Sequence, residues 1–366
     1  MKIVLLEAFY GGSHKQWADG LKAHSQHDIL ILSLPDSHWK WRMHGAAITL
    51  AEKYNQLDFV PDLILATDML DFNLFLSLTR EKTAQVKTAI YFHENQLTYP
   101  WSPTDEDTKI NRNFHYSFIN YTSALAADKV FFNSDYHKSS FLNTLPSFLN
   151  MYPDFQNEKT IKTITSKSET LHLGMDLSYF EAKKPTEKTF YNRAVILWNH
   201  RWEYDKNPEL FFESLMTLHH HGIDFKLIVL GDKTKQYPAI FDEAKEVLKE
   251  KIIHWGYCDS KDEYTHWLWH ADILPVTAIQ DFFGGSVVEA IACNTFPLLP
   301  DRLAYPEHLP QEYKNTFLYK DKHDFIRRLQ RLIMDVRIIR KQNKKQWVQQ
   351  YDWKNCIEKY DERLLF

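Results

Sequence analysis

Short runs of leucine and β-branched residues recur along the chain, spaced widely enough to leave a helix between them. KIVLL at 2–6, DILILSL at 28–34, DLILA at 62–66, TAIYF at 88–92 and KVFF at 129–132 are the first five. Apolar runs of this length predict strands buried on both faces, and the intervening segments predict the helices that cover them, which together make a parallel α/β sheet. The pattern restarts with AVILW at 194–198, FKLIVLG at 225–231, KIIHWG at 251–256, DILPV at 272–276 and TFPLLP at 295–300. Between the halves, EAKKPTEKTFYNR (181–193) is charged, carries a proline and lacks apolar periodicity, so it reads as a linker. The expected organisation is an N-terminal domain over 1–180, that linker, a second domain over 194–345 and a terminal helix over 346–366. One helix is well marked: Pro208 sits in its first turn, Leu210, Phe211, Leu215 and Leu218 share a face, and Gly222 ends it. Two such domains normally hold a ligand in the cleft between them, near the carboxyl ends of their strands.

Composition adds few constraints. With 366 residues, 44% of them hydrophobic, the chain can bury two cores of ordinary size. Cys258, Cys293 and Cys356 are scattered and form no CxxC pair, which supports neither a disulfide framework nor a thiolate metal site. No stretch approaches eighteen uninterrupted apolar residues, and KIVLLEAF is too short and too soon broken by Glu7 and Gly11 for a signal peptide, so a cytoplasmic protein without membrane contact is expected. A net charge of −4 excludes a chain that coats nucleic acid all over but leaves room for a local basic patch.

The chemistry begins with DFFGGSVVEA at 281–290. Following the strand DILPV, Gly284 and Gly285 are expected to open a helix that runs through Val287, Val288, Ala290 and Ile291. Bare backbone N–H groups at such a start, backed by the helix dipole, suit an anion. Asp281 stands just before that start and Glu289 about one turn inside it, about 6 Å along the axis. Two carboxylates bracketing an anion site match a nucleotide sugar, which presents hydroxyls, a diphosphate and hydroxyls again. The plainer alternative is an exposed Glu289 and an Asp281 that merely caps the helix. In WNHRWEYDKNP (198–208), Arg201 and Lys206 leave the end of AVILW as two cations five residues apart. Fixed cations can stabilise a departing diphosphate without a metal. The alternative is a pair of surface charges answering Glu203 and Asp205.

WNHRWEYDK followed by DFFGGSVVEA is similar to the Arg, Lys and E-x7-E signatures of retaining GT-B glycosyltransferases of family four. That resemblance implies two Rossmann-like domains facing a central cleft, with Arg201 and Lys206 on the donor diphosphate, Asp281 on the sugar and Glu289 on the ribose hydroxyls. It also groups Gly11, Gly12, Gly231, Tyr257, Phe283, Gly284 and Gly285 with the donor. The first acidic position is Asp281 where the family usually has Glu, one methylene longer. EAFYGGSHKQW (7–17), HWKWR (38–42), YFHENQLTYP (91–100) and FFNSDYH (131–137), with HWGY at 254–257 and AYPEHLP at 304–310, resemble the tRNA-queuosine α-mannosyltransferase branch of that family. The branch implies transfer of mannose from GDP-mannose to queuosine in the anticodon of tRNA-Asp. No Asp-x-Asp pair stands at a strand end of the proposed cleft and Arg201 and Lys206 can take the charge, so no metal and no cofactor are expected.

In the N-terminal half, Gly11 and Gly12 are expected to close the first strand and open a helix. His93 ends the strand TAIYF, and the resemblance places it beside the transferred sugar as a catalytic residue with Arg201, Lys206 and Asp281. An imidazole with a pKa of about 6.5 can exchange protons near neutrality; a histidine bonded to a backbone carbonyl is the alternative. Glu94 follows on the opposite side of the strand end. Trp39 and Trp41 interleave with Lys40 and Arg42, as suits unstacked bases and phosphates, although alternating aromatics also fit half-buried strand positions. His14, Lys15, Asn95 and Gln96 join them as acceptor-side candidates. The basic run at 327–345 is a second RNA candidate or a solvated helix face. His219 to His221 read as a solvated helix end, since consecutive residues do not share a face. Two other functions fit the same residues: a family-four transferase with a glycan or lipid acceptor, and a two-domain sugar-binding protein without chemistry. The oligomeric state has no signature in the sequence.

Overall fold

The computed structural model describes residues 1–102, 105–109, 113–186, 191–232 and 237–366, without the side chains of 108, 109 and 113. The chain divides into two compact units, Met1–Met175 with Trp353–Phe366, and Asp176–Asp352. Of the segment 181–193, Glu181 and Ala182 end the helix Leu177–Ala182, and 187–190 lie outside the described residues.

The first unit holds a six-stranded sheet of β1 (Lys2–Tyr10), β2 (Asp28–Pro35), β3 (Leu63–Thr67), β4 (Lys87–Phe92), β5 (Lys129–Phe132) and β6 (Ser168–Thr170). The order is β2-β1-β3-β4-β5-β6 and every pairing is parallel. The five apolar runs form β1 to β5. The sixth strand, SET, has no apolar signal and joins as an edge through pairing with β5. Because β1 lies between β2 and β3, the strand order reverses there. The loops after β1 and β3 therefore stand at a topological switch point, where open α/β sheets place ligands.

The helix Trp353–Arg363 completes this unit from the far end of the chain. Its Trp353 indole lies where side chains at Gly20 and Gly174 would be, since a Cβ there would meet it at 2.0 and 2.5 Å. The Tyr360 hydroxyl accepts the Trp17 indole N–H at 3.0 Å and donates to the His172 carbonyl at 2.8 Å. Three buried polar groups are thereby satisfied together.

The second unit repeats the plan with β7 (Ala194–Trp198), β8 (Phe225–Val229), β9 (Ile252–Trp255), β10 (Ile273–Pro275), β11 (Phe296–Pro300) and β12 (Leu318–Tyr319). The order is β12-β11-β10-β7-β8-β9, again parallel, with Ile196 of β7 between Leu227 and Ile273. The reversal now falls between β7 and β10, so the loops after those two strands occupy the switch point. The helix Pro208–His220 starts with its proline at the first position and the Asn207 side chain accepting the Leu210 N–H, and Gly222, at φ +74°, follows its end. Phe211, Phe212, Leu215 and Leu218 are buried, while Leu210 is half-buried. Among the described residues, no helix is long and apolar enough to cross a membrane.

Candidate active site

The loop after β7 carries Arg201 and Lys206, and the loop after β10 carries Asp281 and Phe283. Lys206 reaches across the switch point, donating to the Gln280 carbonyl at 3.1 Å and pairing with Asp281 at 3.4 Å and Asp205 at 3.1 Å. Its side chain is 12% exposed. Burial alone would push its ammonium down, but Asp281 and Asp205 outweigh burial and raise its pKa. Burial pushes the Asp281 carboxyl up, while Lys206, His200 and a hydrogen bond from Tyr305 at 3.0 Å outweigh it and leave the pKa lowered. The pair is therefore ionised at neutral pH. Arg201 pairs with Glu203 at 3.2 Å and stays 60% exposed. Both cations thus meet the neighbours that sequence proximity offered, and Lys206 gains Asp281 as well.

The Gly-Gly pair does open a helix, Gly285–Ala292, with Gly284 at φ +86° in the cap position. Val287, Val288, Ala290 and Ile291 are its buried side. Asp281 caps nothing here; its oxygen is taken by Lys206 and Tyr305. Glu289 is half-buried rather than exposed, and its Oε2 accepts the Tyr264 hydroxyl at 2.8 Å. Burial pushes Glu289 up to about 7 against the opposing pull of Tyr264 and Lys261.

Two neighbours add to this edge. His200 is 3% exposed, with Nδ1 on the Ser286 hydroxyl at 3.1 Å and Nε2 unpartnered among the described residues. Burial and Lys206 hold its pKa down at about 4, so it is a neutral imidazole. Gly231, at φ +110°, lies so close to the His200 carbonyl that a Cβ would come within 2.1 Å, and glycine is needed there on both counts. Phe283 is buried against His308 and Tyr351, and its carbonyl contacts His308 Nε2 at 2.6 Å. Tyr257 is 69% exposed. A cavity of about 370 Å³ elsewhere in this unit is lined by Lys184, Trp269, Asp272, Arg340 and Lys345. None of the donor-site candidates lines it, although Cys293 and part of the basic run 327–345 do, and Arg340 there is engaged by both oxygens of Asp272.

At the first unit's switch point, Gly11 and Gly12 end β1 and begin the helix Gly12–His24. A side chain on Gly11 would collide with Asp36, and Gly12 has φ +49°. The helix brings His14 back over the end of β1, where both Glu7 oxygens lie 3.3 Å from Nδ1. The His14 ring lies 4.2 Å from that of His93, which Trp17 and Tyr91 flank at 4.7 and 4.9 Å. Burial opposes the charge on His14, but Glu7, with Asp68 and Glu94, outweighs it and lifts the pKa to about 9. Burial, then His14 and His137, push His93 well below the usual histidine range. Its backbone N–H donates to Asp68 at 2.8 Å, its carbonyl accepts from Asn133, and Nε2 is buried without a partner among the described residues. A charged imidazole thus sits beside a neutral one. Glu7, His14 and His93 also offer three donor atoms within 4.8 Å of one another, a spacing that suits a divalent ion.

The remaining acceptor-side candidates are spread more widely. WKWR begins a helix, Trp39–Asn55, and is not a strand. Lys40 forms 2.6 Å ion pairs with both Asp105 and Asp107, Arg42 donates to the Pro35 carbonyl and the Ser37 hydroxyl, Trp39 packs on Tyr116, and Trp41 is 62% exposed. Asn95 accepts from Thr98 and Gln96 donates to Glu94, both side chains being buried; Lys15 is exposed. In the basic run, Arg327 and Arg328 pair with Asp324, Arg331 with Asp335 and Lys345 with Glu181. Reading the sequence missed Glu7, Asp68, His200, Tyr264 and Tyr305. Of these, Glu7, His200 and Tyr305 lie inside the blocks that carried the resemblance but were not singled out, and Glu7 also shows as a carboxylate inside a run of buried strand residues.

Parallel six-stranded sheets in both units, with polar residues gathered at the switch points, are the plan of the GT-B fold. Solved structures agree on the fold. A sucrose-phosphate synthase from Thermosynechococcus elongatus superposes with a TM-score of 0.72 at 13% identity, covering 99% of this chain and 98% of that one. Anabaena HepE in complex with UDP and glucose gives 0.67 at 14% identity, covering 100% and 99%. The family profile described as tRNA-queuosine alpha-mannosyltransferase N-terminal matches residues 2–175, and that of glycosyl transferases group 1 matches 180–349. A tRNA-queuosine alpha-mannosyltransferase from Drosophila melanogaster is 33% identical over 347 residues, 93% of this chain and 89% of the relative. The chain belongs to the tRNA-queuosine alpha-mannosyltransferase family.

Proposed function

We propose that this protein transfers mannose from GDP-mannose to a cyclopentenediol hydroxyl of queuosine in the anticodon of tRNA-Asp, with retention at the anomeric carbon. The Drosophila relative's name supports the mannosyl transfer and the queuosine acceptor. The observation that carries the donor half is Lys206, a largely buried cation at the switch point between β7 and β10, paired with Asp281 in the loop that leads into the helix Gly285–Ala292.

In this reading the backbone N–H groups at the start of that helix, with Lys206 and Arg201, receive the diphosphate. The bond from the sugar C1 to the phosphate oxygen breaks, and the nucleoside diphosphate leaves with the electron pair. Its growing charge falls on cations already in place. The acceptor hydroxyl oxygen bonds to C1 on the face the diphosphate vacates, and its proton passes to the departing phosphate oxygen. Asp281, kept ionised by Lys206, accepts a sugar hydroxyl, and Glu289 accepts the ribose hydroxyls. His93, a neutral imidazole beside the charged His14, is the acceptor-side candidate for orienting the attacking hydroxyl. No metal has a step in this scheme.

The test is incubation of the purified protein with GDP-mannose and queuosine-containing tRNA, then digestion to nucleosides and mass analysis. One added hexose on queuosine is expected, in the α configuration. An unmodified nucleoside, with sugar transferred instead to a glycan or lipid, overturns the acceptor; transfer from UDP sugars alone overturns the donor.

A further inference from the structure

Glu289 and Tyr264 lie on different helices, Gly285–Ala292 and Lys261–His270, 25 residues apart. Their contact has a direction that the surrounding hydrogen bonds fix. The Asn199 amide faces the Ser286 carbonyl at 2.8 Å and the Tyr264 hydroxyl at 3.3 Å through the same atom, Nδ2. A carbonyl oxygen can only accept, so the atom opposite it is the amide nitrogen. Asn199 therefore donates to the tyrosine oxygen, which leaves the hydroxyl proton of Tyr264 aimed at Glu289 Oε2. Among the described residues Oε1 meets no donor, and Asn199 Oδ1 is a buried acceptor without a partner.

We propose that Tyr264, backed by Asn199, is a positioning residue that holds one oxygen of Glu289 so that the other accepts both hydroxyls of a ribose diol. The inference rests on the reading of Glu289 as the ribose contact. It adds what selects the ionised carboxylate in a half-buried place and which of its oxygens faces the ligand. A protonated Glu289 would offer the diol a donor where two acceptor lone pairs are needed. Titration then becomes part of recognition. Burial raises Glu289 to about 7, opposed by Tyr264 and by Lys261 on the same helix, while Cys293 acts only on the Tyr264 side. Discrimination for the diol should grow as pH rises through that value, and loss of the Tyr264 hydroxyl should move the midpoint upward.

The experiment measures equilibrium affinities of GDP and UDP and of their 2′,3′-dideoxy forms from pH 5.5 to 8.5. The ratio of dideoxy to ribo dissociation constants is read for whichever base binds. Phosphate ionisation, with a pKa of about 6, cancels in that ratio. The wild type should prefer the ribo form more strongly at pH 8 than at pH 6. Tyr264→Phe should reduce the preference at pH 7 by roughly tenfold or more, as loss of a hydrogen bond to a charged group implies, with dideoxy affinity unchanged. Asn199→Ala should shift the midpoint in the same direction by less, and Glu289→Gln should abolish the pH dependence. A wild type that binds both forms equally, or neither nucleotide, overturns the ribose reading and this inference with it. If the wild type discriminates but Tyr264→Phe keeps its ratio and midpoint, or loses dideoxy affinity in equal measure, Tyr264 has no positioning role and the ribose reading stands.

Discussion

At the switch point of the first unit, Glu7, His14, Asp68 and His93 are each at most 8% exposed, and most of their charge is answered within the group. At that of the second, Lys206, Asp281 and Glu289 are half-buried, and a tyrosine hydroxyl holds each carboxylate. The scaffolds match, so the difference lies in what the charges are for. A buried pair closed on itself adds to what burial already imposes on its neighbours, as His14 does for His93. A partly exposed charge can exchange its hydroxyl donor, Tyr264 for Glu289 or Tyr305 for Asp281, for a ligand, although Asp281 also keeps the Lys206 ammonium. The first arrangement suits orientation of a neutral acceptor, the second suits capture of an anion and its sugars.

Four experiments bear on that contrast, in falling order of expected effect. Lys206→Ala should lower turnover by on the order of 10² or more, and Arg201→Ala by less, because Arg201 is exposed and answered by Glu203. Steady-state kinetics of the two variants decide it, and near wild-type rates in both would remove the division of labour between the units.

Glu7→Gln should destabilise the protein by about 3 kcal/mol at pH 6, as breaking a buried pair does. With its folded pKa raised to about 9, His14 adds stability that is fully present below about 6.5 and is lost as pH rises to 9. Thermal melts from pH 6 to 10 should therefore show a decline that the variant lacks. Glu289→Gln should behave differently, because a raised carboxylate pKa means that the wild type loses stability as pH rises from 4.5 to about 7. The variant should melt higher than wild type above pH 7 and alike near pH 4.5.

Replacing both Lys40 and Arg42 with Ala should weaken tRNA binding only modestly. Two phosphate contacts would flatten the salt dependence by about two units, but Lys40 is already spent on Asp105 and Asp107, so a change of about one is expected. Titrating GDP and tRNA separately against the double variant checks this, with GDP affinity unchanged. The smallest effect should be that of EDTA, which is expected to leave turnover intact. Loss of activity restored by a divalent ion would direct attention to Glu7, His14 and His93 and turn the contrast between the units around.

The sheet scaffold was legible because buried parallel strands write continuous apolar runs, and β1 to β5 follow theirs closely. Ser168–Thr170 and Leu318–Tyr319 were not, since edge strands of three and two residues lie below any periodic signal. HWKWR misleads for a different reason. Its period of two reads as a strand over five residues, whereas Met43, Ala46, Ala47, Leu50, Ala51 and Tyr54 continue it at helical spacing. In the candidate site, the Gly-Gly helix start is a local pattern and could be read. Tyr264 and Tyr305 stand 25 and 24 residues from the carboxylates they hold, and such pairs exist only once the sheet brings their loops together.

The placement of Trp353 has a consequence for how the chain comes off the ribosome. Asp176–Asp352 is continuous and holds all six strands of its sheet, so it can close as soon as it has emerged. The first half is synthesised earlier yet must wait, with the indole N–H of Trp17 unanswered and the surfaces of Gly20 and Gly174 bare, for residues 353–366 from beyond the second unit. Order of synthesis and order of completion are reversed, and the older half of the chain is the one that a stalled ribosome or a premature stop leaves unfinished.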